Sequence, residues 1–228
     1  MESLQSAGAD MIELGMPYSD PLADGPVIQE SSSRALENGM TIPRLFEQLQ
    51  DMRKRIRIPV ILMGYMNPVL QFGFEAFCAQ AAAVGVTGLI LPDMPPAEME
   101  EKYQRILQQY GLNFSFLVTP ETSDARVRYL DQLSSGFLYA VSSSSITGGA
   151  QGFGHLEAYL DRLKKLNLKN PILVGFGVKD KSDFDLITQY ADGAIVGSAF
   201  IKAIGQSRDL NATIHQFVQS IRPFNQNP

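Results

Sequence analysis

The chain has 228 residues, 45% of them hydrophobic and 19% charged, and a net charge of -5. Those values are ordinary for a globular protein with a sizeable core, and they suit one large α/β domain or two small ones. Basic residues do not cluster beyond the short RKRIR and KK runs, which argues against nucleic acid or an anionic membrane as the main partner but leaves a small phosphate ligand open. Cys78 is the single cysteine, so neither an internal disulfide nor a cysteine-based metal cluster can form. No apolar run reaches membrane-spanning length, and the first ten residues lack the basic and apolar regions of a signal peptide. A reducing, cytoplasmic compartment is expected.

In chain order, MESLQSAGAD reads as the end of a helix that leads into a first strand, MIELGMP (11–17). Thr41 can cap the next helix, with Pro43 in its first turn and Leu45, Leu49 and Met52 on one face. Strands follow at PVILMGY (59–65) and GLILP (88–92), with a helix ending at Gly85 between them. RILQQY closes another helix at Gly111, and each glycine serves as the helix cap before a strand. The strands NFSFLVT (113–119) and GFLYAVS (136–142) come next, then a helix with Leu156, Tyr159, Leu160 and Leu163 on one face. PILVGFG (171–177) and GAIVGSA (193–199) complete the set. The strands are nearly continuous in apolar residues, as parallel strands covered on both faces are.

Repeated strand–helix units without a linker predict an α/β fold with one domain over residues 1–228. Seven strands are visible, and a closed (β/α)8 TIM barrel needs eight. An open doubly wound sheet of the dinucleotide-binding type needs Gly-x-Gly-x-x-Gly after an early strand, which is absent. The expectation is a TIM barrel lacking its first strand and most of its first helix, roughly 20–30 residues at usual element lengths.

Glu13 stands in the first strand among Met11, Ile12 and Leu14. An ionised carboxylate there is costly unless paired or near water. A core salt bridge would explain it; the C-terminal end of a barrel strand favours function, because catalytic groups project there and partial desolvation suits acid–base work. Asp20 and Asp24 lie in the following loop, YSDPLADGP, where turn chemistry alone explains an aspartate before proline or glycine. Gly177 ends one late strand, Gly197 and Ser198 follow the last, and ITGGAQGFG (146–154) is a third glycine loop. Late loops with a helix N-terminus commonly hold phosphate in barrels. Tyr139, Tyr65 and Asn67 read as core, strand-end packing and turn. His155 and His215 read as helix-surface or capping residues, Cys78 as a buried helix residue, and no metal-ligand spacing is present.

The stretch ELGMPYSDPLADGPVIQ resembles the signature of the tryptophan synthase α subunit family nearly letter for letter. The similarity continues in order through PVILMGYMNP, LPDMPP, YAVSSSSITG, PILVGFGV and DGAIVGSAFIK, over essentially the whole chain. The resemblance implies a (β/α)8 barrel lyase that cleaves indole-3-glycerol phosphate to indole and glyceraldehyde 3-phosphate by a retro-aldol reaction. It implies no cofactor or metal in this chain, and a partner β subunit that carries pyridoxal phosphate and receives the indole through a tunnel, in an assembly of two α and two β subunits. By position, Glu13 matches the family's catalytic acid–base and Asp24 its carboxylate on the indole N–H. Tyr139, Met63, Ile90 and Leu117 match its pocket, Gly148, Gly177, Gly197 and Ser198 its phosphate site, and Asp20, Asn67 and Pro95 its β-subunit face. Two departures stand out: the first strand's aromatic and Gly-Asp-Pro turn are absent, and the lid around Ser143 to Gly154 is shorter, with Ser145 where the family has glycine. They leave open a catalytically weak subunit that acts mainly as an allosteric partner of a β subunit. Another phosphate-binding barrel enzyme is the third reading.

Overall fold

The computed structural model describes residues 1–142, 150–175 and 177–223, the first five of the second stretch as backbone only. The described strands are β1 (Ile12–Gly15), β2 (Val60–Met63), β3 (Gly88–Ile90), β4 (Asn113–Phe114), β5 (Leu117–Val118), β6 (Leu138–Val141), β7 (Ile172–Gly175) and β8 (Gly193–Ala194). All their pairings are parallel, in the order β1-β2-β3-β4 and β5-β6-β7-β8. β4 and β5 are the two halves of the fourth expected strand. Its first half pairs with β3 and its second with β6, and serine hydroxyls bridge the bend: Ser134 and Ser135 accept from the N–H groups of Phe116 and Phe114. Seven strand positions therefore succeed one another, as the apolar runs predict. Among the described residues β1 pairs only with β2, and β8 only with β7.

The helices are α1 (Glu2–Ser6), α2 (Pro26–Glu37), α3 (Ile42–Leu49), α4 (Met52–Arg55), α5 (Met66–Phe72), α6 (Phe74–Ala83), α7 (Pro96–Glu98), α8 (Gln104–Gln109), α9 (Asp124–Leu133), α10 (Ala150–Lys165), α11 (Lys181–Ile187), α12 (Ser198–Gly205) and α13 (Leu210–Ile221). A π-helical turn, Met99–Tyr103, joins α7 to α8. The Thr41 hydroxyl caps α3 by accepting from the Arg44 N–H at 3.3 Å, as expected. Leu45, Leu49 and Met52 are all buried, but Met52 belongs to α4, so the apolar stripe read as one helix spans two. α2 went unread because its serine run buries no residue and its N-cap is Gly25, with no side-chain cap. The strand expected over 193–199 shortens to Gly193–Ala194: with a neighbour on one side only among the described residues, the backbone turns into α12 at Ser198.

Side chains alternate between two apolar clusters along the strands. Ile12, Val60, Leu62, Leu89, Phe114, Val118, Leu138, Ala140, Ile172 and Val174 join the helices in the large outer core. Ile61, Ile90, Phe137 and Tyr139, flanked by Met63, Leu117, Val141, Leu173 and Ile195, form the small cluster inside the barrel. Directly paired residues of neighbouring strands point to the same face. Glu13 pairs with Ile61, so it points into the barrel. At the opposite end of the chain, α13 lies against α1. The Arg222 guanidinium donates to the Gly8 carbonyl at 3.0 Å and pairs with Asp10 at 2.9 Å, and Ser6 and His215 share a hydrogen bond of 3.0 Å.

Candidate active site

Every loop that leaves a strand's C-terminal end opens on the same end of a parallel barrel. Glu13 sits on β1 just below that end. The residue keeps partial exposure, yet its Oε2 is buried without a hydrogen-bond partner. Burial, and secondarily the nearby Asp24 charge, push the Glu13 carboxyl up from 4.5 to about 7. A carboxyl that gains and loses a proton near neutrality is matched to acid–base catalysis.

Asp24 belongs to the loop between β1 and α2 and is partly buried. Burial raises its carboxyl pKa, and a hydrogen bond of 3.1 Å from the Tyr65 hydroxyl opposes that rise. Tyr139, in the middle of β6, is 3% exposed. Burial first, then the Glu13 and Asp24 charges, hold its phenol well above the usual range. Glu13 and Tyr139 both face the inner cluster, and each is affected by the Asp24 charge. Gly175, the β7 partner of Val141, leaves room for that phenol: a Cβ at Gly175 would run into the Tyr139 ring and hydroxyl. Met63, Ile90 and Leu117 stand in the same inner cluster as Tyr139 and make an apolar wall.

Gly177 and Gly197 leave the ends of neighbouring strands, since Val174 pairs with Ala194. Gly177 has φ 83, in the region that favours glycine, and is exposed. Gly197 is the N-cap of α12, an added Cβ there would meet nothing within 4 Å, and Ser198 is exposed as the first helical residue. Open backbone and a helix N-terminus side by side suit an anion. Gly148 and the lid residues Ser143 and Ser145 lie outside the described residues. Asp20 and Pro95 are exposed on the loops that follow β1 and β3, and Asn67 is exposed in the first turn of α5 after β2, at the same end as the carboxylates.

Two residues of the site carry no functional mark in the sequence. Tyr65, expected as strand-end packing, reaches Asp24; a tyrosine after an apolar strand has the same sequence pattern in either role. Asp93, in LPDMPP, accepts the Met66 N–H with both carboxyl oxygens at 3.0 Å. His155 and His215 are exposed on α10 and α13, and Cys78 is buried in α6, as expected. Among the described residues no three His, Cys, Asp or Glu side chains are grouped as a metal site would require.

The family model described as "Tryptophan synthase alpha chain" matches residues 1–227. A protein of that name from Flavobacterium johnsoniae is 52% identical over 223 residues, covering 97% of this chain and 87% of its own. One from Christiangramia forsetii is 51% identical over 220 residues, covering 96% and 85%. Among solved structures, a tryptophan synthase alpha chain from Legionella pneumophila superposes with a TM-score of 0.87 at 36% identity, covering 97% of this chain and 82% of that one. A tryptophan synthase complex from Pyrococcus furiosus gives 0.85 at 32% identity, covering 98% and 91%.

Proposed function

The chain belongs to the tryptophan synthase alpha chain family, and on that premise we propose that Glu13 and Asp24 carry its chemistry. The reaction is the lyase step of tryptophan synthesis, the retro-aldol cleavage of indole-3-glycerol phosphate to indole and glyceraldehyde 3-phosphate. The chain works with a β subunit in an assembly of two α and two β subunits. The α reaction uses no cofactor of its own; the pyridoxal phosphate belongs to the β subunit.

Breaking the carbon–carbon bond requires a proton at indole C3, which converts the ring to an electrophilic indolenine. Glu13 delivers that proton and accepts the proton of the glycerol hydroxyl as the carbonyl of the aldehyde forms. Asp24 accepts a hydrogen bond from the indole N–H and stabilises the positive charge that develops on the ring nitrogen. Tyr139, Met63, Ile90 and Leu117 enclose the indole ring. Gly177, Gly197 and Ser198 hold the phosphate by backbone and hydroxyl donors, with Gly148 from the lid. Asp20, Asn67 and Pro95 face the β subunit.

The observation that carries this reading is the inward-facing Glu13 carboxyl, buried, unbonded at Oε2 and titrating near neutrality beside Asp24. Glu13→Gln is the test: indole release from indole-3-glycerol phosphate falls by at least about 100-fold, a general acid–base contribution, while the fold persists. A variant that keeps most of its rate would overturn the acid–base assignment.

We read the whole chain as one domain, on the single outer core that runs from Ile12 on β1 to Ile187 on α11. The cytoplasm is the compartment we propose, on the free, buried Cys78; among the described residues no helix is long and apolar enough to cross a membrane.

A further inference from the structure

Asp24 is held by a side chain that the acid–base scheme does not use. Tyr65 lies two residues past β2, as the N-cap of α5, and is 4% exposed. Its hydroxyl makes two hydrogen bonds of 3.1 Å: it accepts from the Ala23 N–H and donates to Asp24 Oδ2. The donor assignment is forced, because a phenol has one proton and an ionised carboxylate only accepts. Burial, ahead of the neighbouring charges, pushes the phenol up to about 12, so the proton stays on Tyr65 over the working range. One oxygen thus pins both the backbone and the carboxylate of a single turn. That turn needs an anchor: Ala23 is exposed, and Leu22 beside it is 81% exposed.

Tyr65 is itself fixed from two sides. Asp93, in the loop after β3, grips the Met66 N–H with both oxygens at 3.0 Å and so sets the backbone at the start of α5. The Tyr18 ring lies 5.5 Å from the Tyr65 ring, and its hydroxyl accepts from Asn67 Nδ2 at 3.1 Å. Packing alone does not explain the arrangement, since phenylalanine would fill the same space and leave both polar contacts unmade.

We infer that Tyr65 is a positioning residue for the lyase reaction: its hydroxyl orients the Asp24 carboxylate, and the Ala23–Asp24 turn that carries it, toward the substrate N–H. The inference rests on the role given to Asp24 above. A carboxylate on an exposed turn samples several rotamers in water, and holding one of them removes an entropic cost from the transition state.

The test compares Tyr65→Phe, Asp24→Asn and the double variant in the assembled α and β complex, with Tm of the isolated chains as the folding control. Tyr65→Phe should lower kcat by about 10- to 100-fold, with KM within about threefold, the range expected for misplaced catalytic groups. The double variant should be no slower than Asp24→Asn. A carbon-13 titration of Asp24 supplies a readout independent of turnover. The Tyr65 bond lowers the Asp24 pKa, so its carboxyl should titrate at higher pH in Tyr65→Phe; Glu13 faces it in both proteins and cancels from the comparison. Wild-type kcat and an unmoved Asp24 titration in Tyr65→Phe would overturn the inference while leaving the role of Asp24 intact, and so would fully additive losses in the double variant. Near wild-type turnover in Asp24→Asn would instead remove the role of Asp24, and this inference with it.

Discussion

Glu13 costs the fold stability in its ionised form. Its folded pKa of about 7 lies above the ordinary 4.5, so the native state holds this proton more tightly than the unfolded chain does. By linkage the penalty is absent below pH 4.5, grows between 4.5 and about 7, and is complete above that. A shift of this size corresponds to about 3 kcal/mol. Glu13→Gln should therefore be more stable than the parent at pH 8 and nearly equal to it at pH 4.5; urea unfolding at both values is the check, and a gap of equal size at both would contradict the assignment. Gly175→Ala acts on the same space from another strand. Its new methyl meets the Tyr139 phenol, so we expect a loss of about 1–3 kcal/mol from overpacking, together with a raised KM, read from thermal unfolding and steady-state cleavage. At this scale the sequence was legible where a residue broke its local pattern. Glu13 did so, as a carboxylate in an apolar run. Tyr65 did not, because its role lies in a contact with a turn 41 positions away along the chain.

Elements were legible where side chains declare their ends. Thr41 announced α3, and the apolar runs located all seven strand positions. α2 carried no such mark, and the break between α3 and α4 left the spacing of Leu45, Leu49 and Met52 undisturbed. The bend between β4 and β5 was invisible for a related reason: Ser115 is buried and Phe116 apolar, so the run reads as one strand although its pairing changes midway. The clasp between α1 and α13 also belongs to this scale. Arg222→Ala removes the bond to the Gly8 carbonyl and the pair with Asp10. Asp10 is largely solvated and Arg222 is partly so, and global stability should change by less than about 1 kcal/mol. Amide exchange over residues 2–6 should nevertheless speed up, because α1 has only five residues and depends on what it lies against. Hydrogen-exchange mass spectrometry measures this directly, and unchanged protection of α1 would show that the clasp is dispensable.

For the molecule as a whole, the segments that follow β1, β2 and β3 carry Asp24 and the proposed partner face together, beside Glu13 on β1. Asn67 is exposed, yet it bonds to Tyr18, whose ring meets Tyr65. A bulky charge there, as in Asn67→Arg, should weaken binding of the β subunit by at least about tenfold, as a charge buried without a partner does at an interface, while Tm of the isolated chain stays within error. Titration calorimetry against the β subunit decides it, and wild-type affinity would move the partner face elsewhere. The alternation of inner and outer side chains has its own consequence for how this protein tolerates change. On β6, Leu138 and Ala140 belong to the outer core, while Tyr139 and Val141, with Phe137 just before the strand, belong to the inner cluster. Consecutive codons of one strand thus serve separate masters. A saturation library through residues 137–141 should sort into two interleaved phenotypes, scarce protein at one parity and abundant but slow protein at the other.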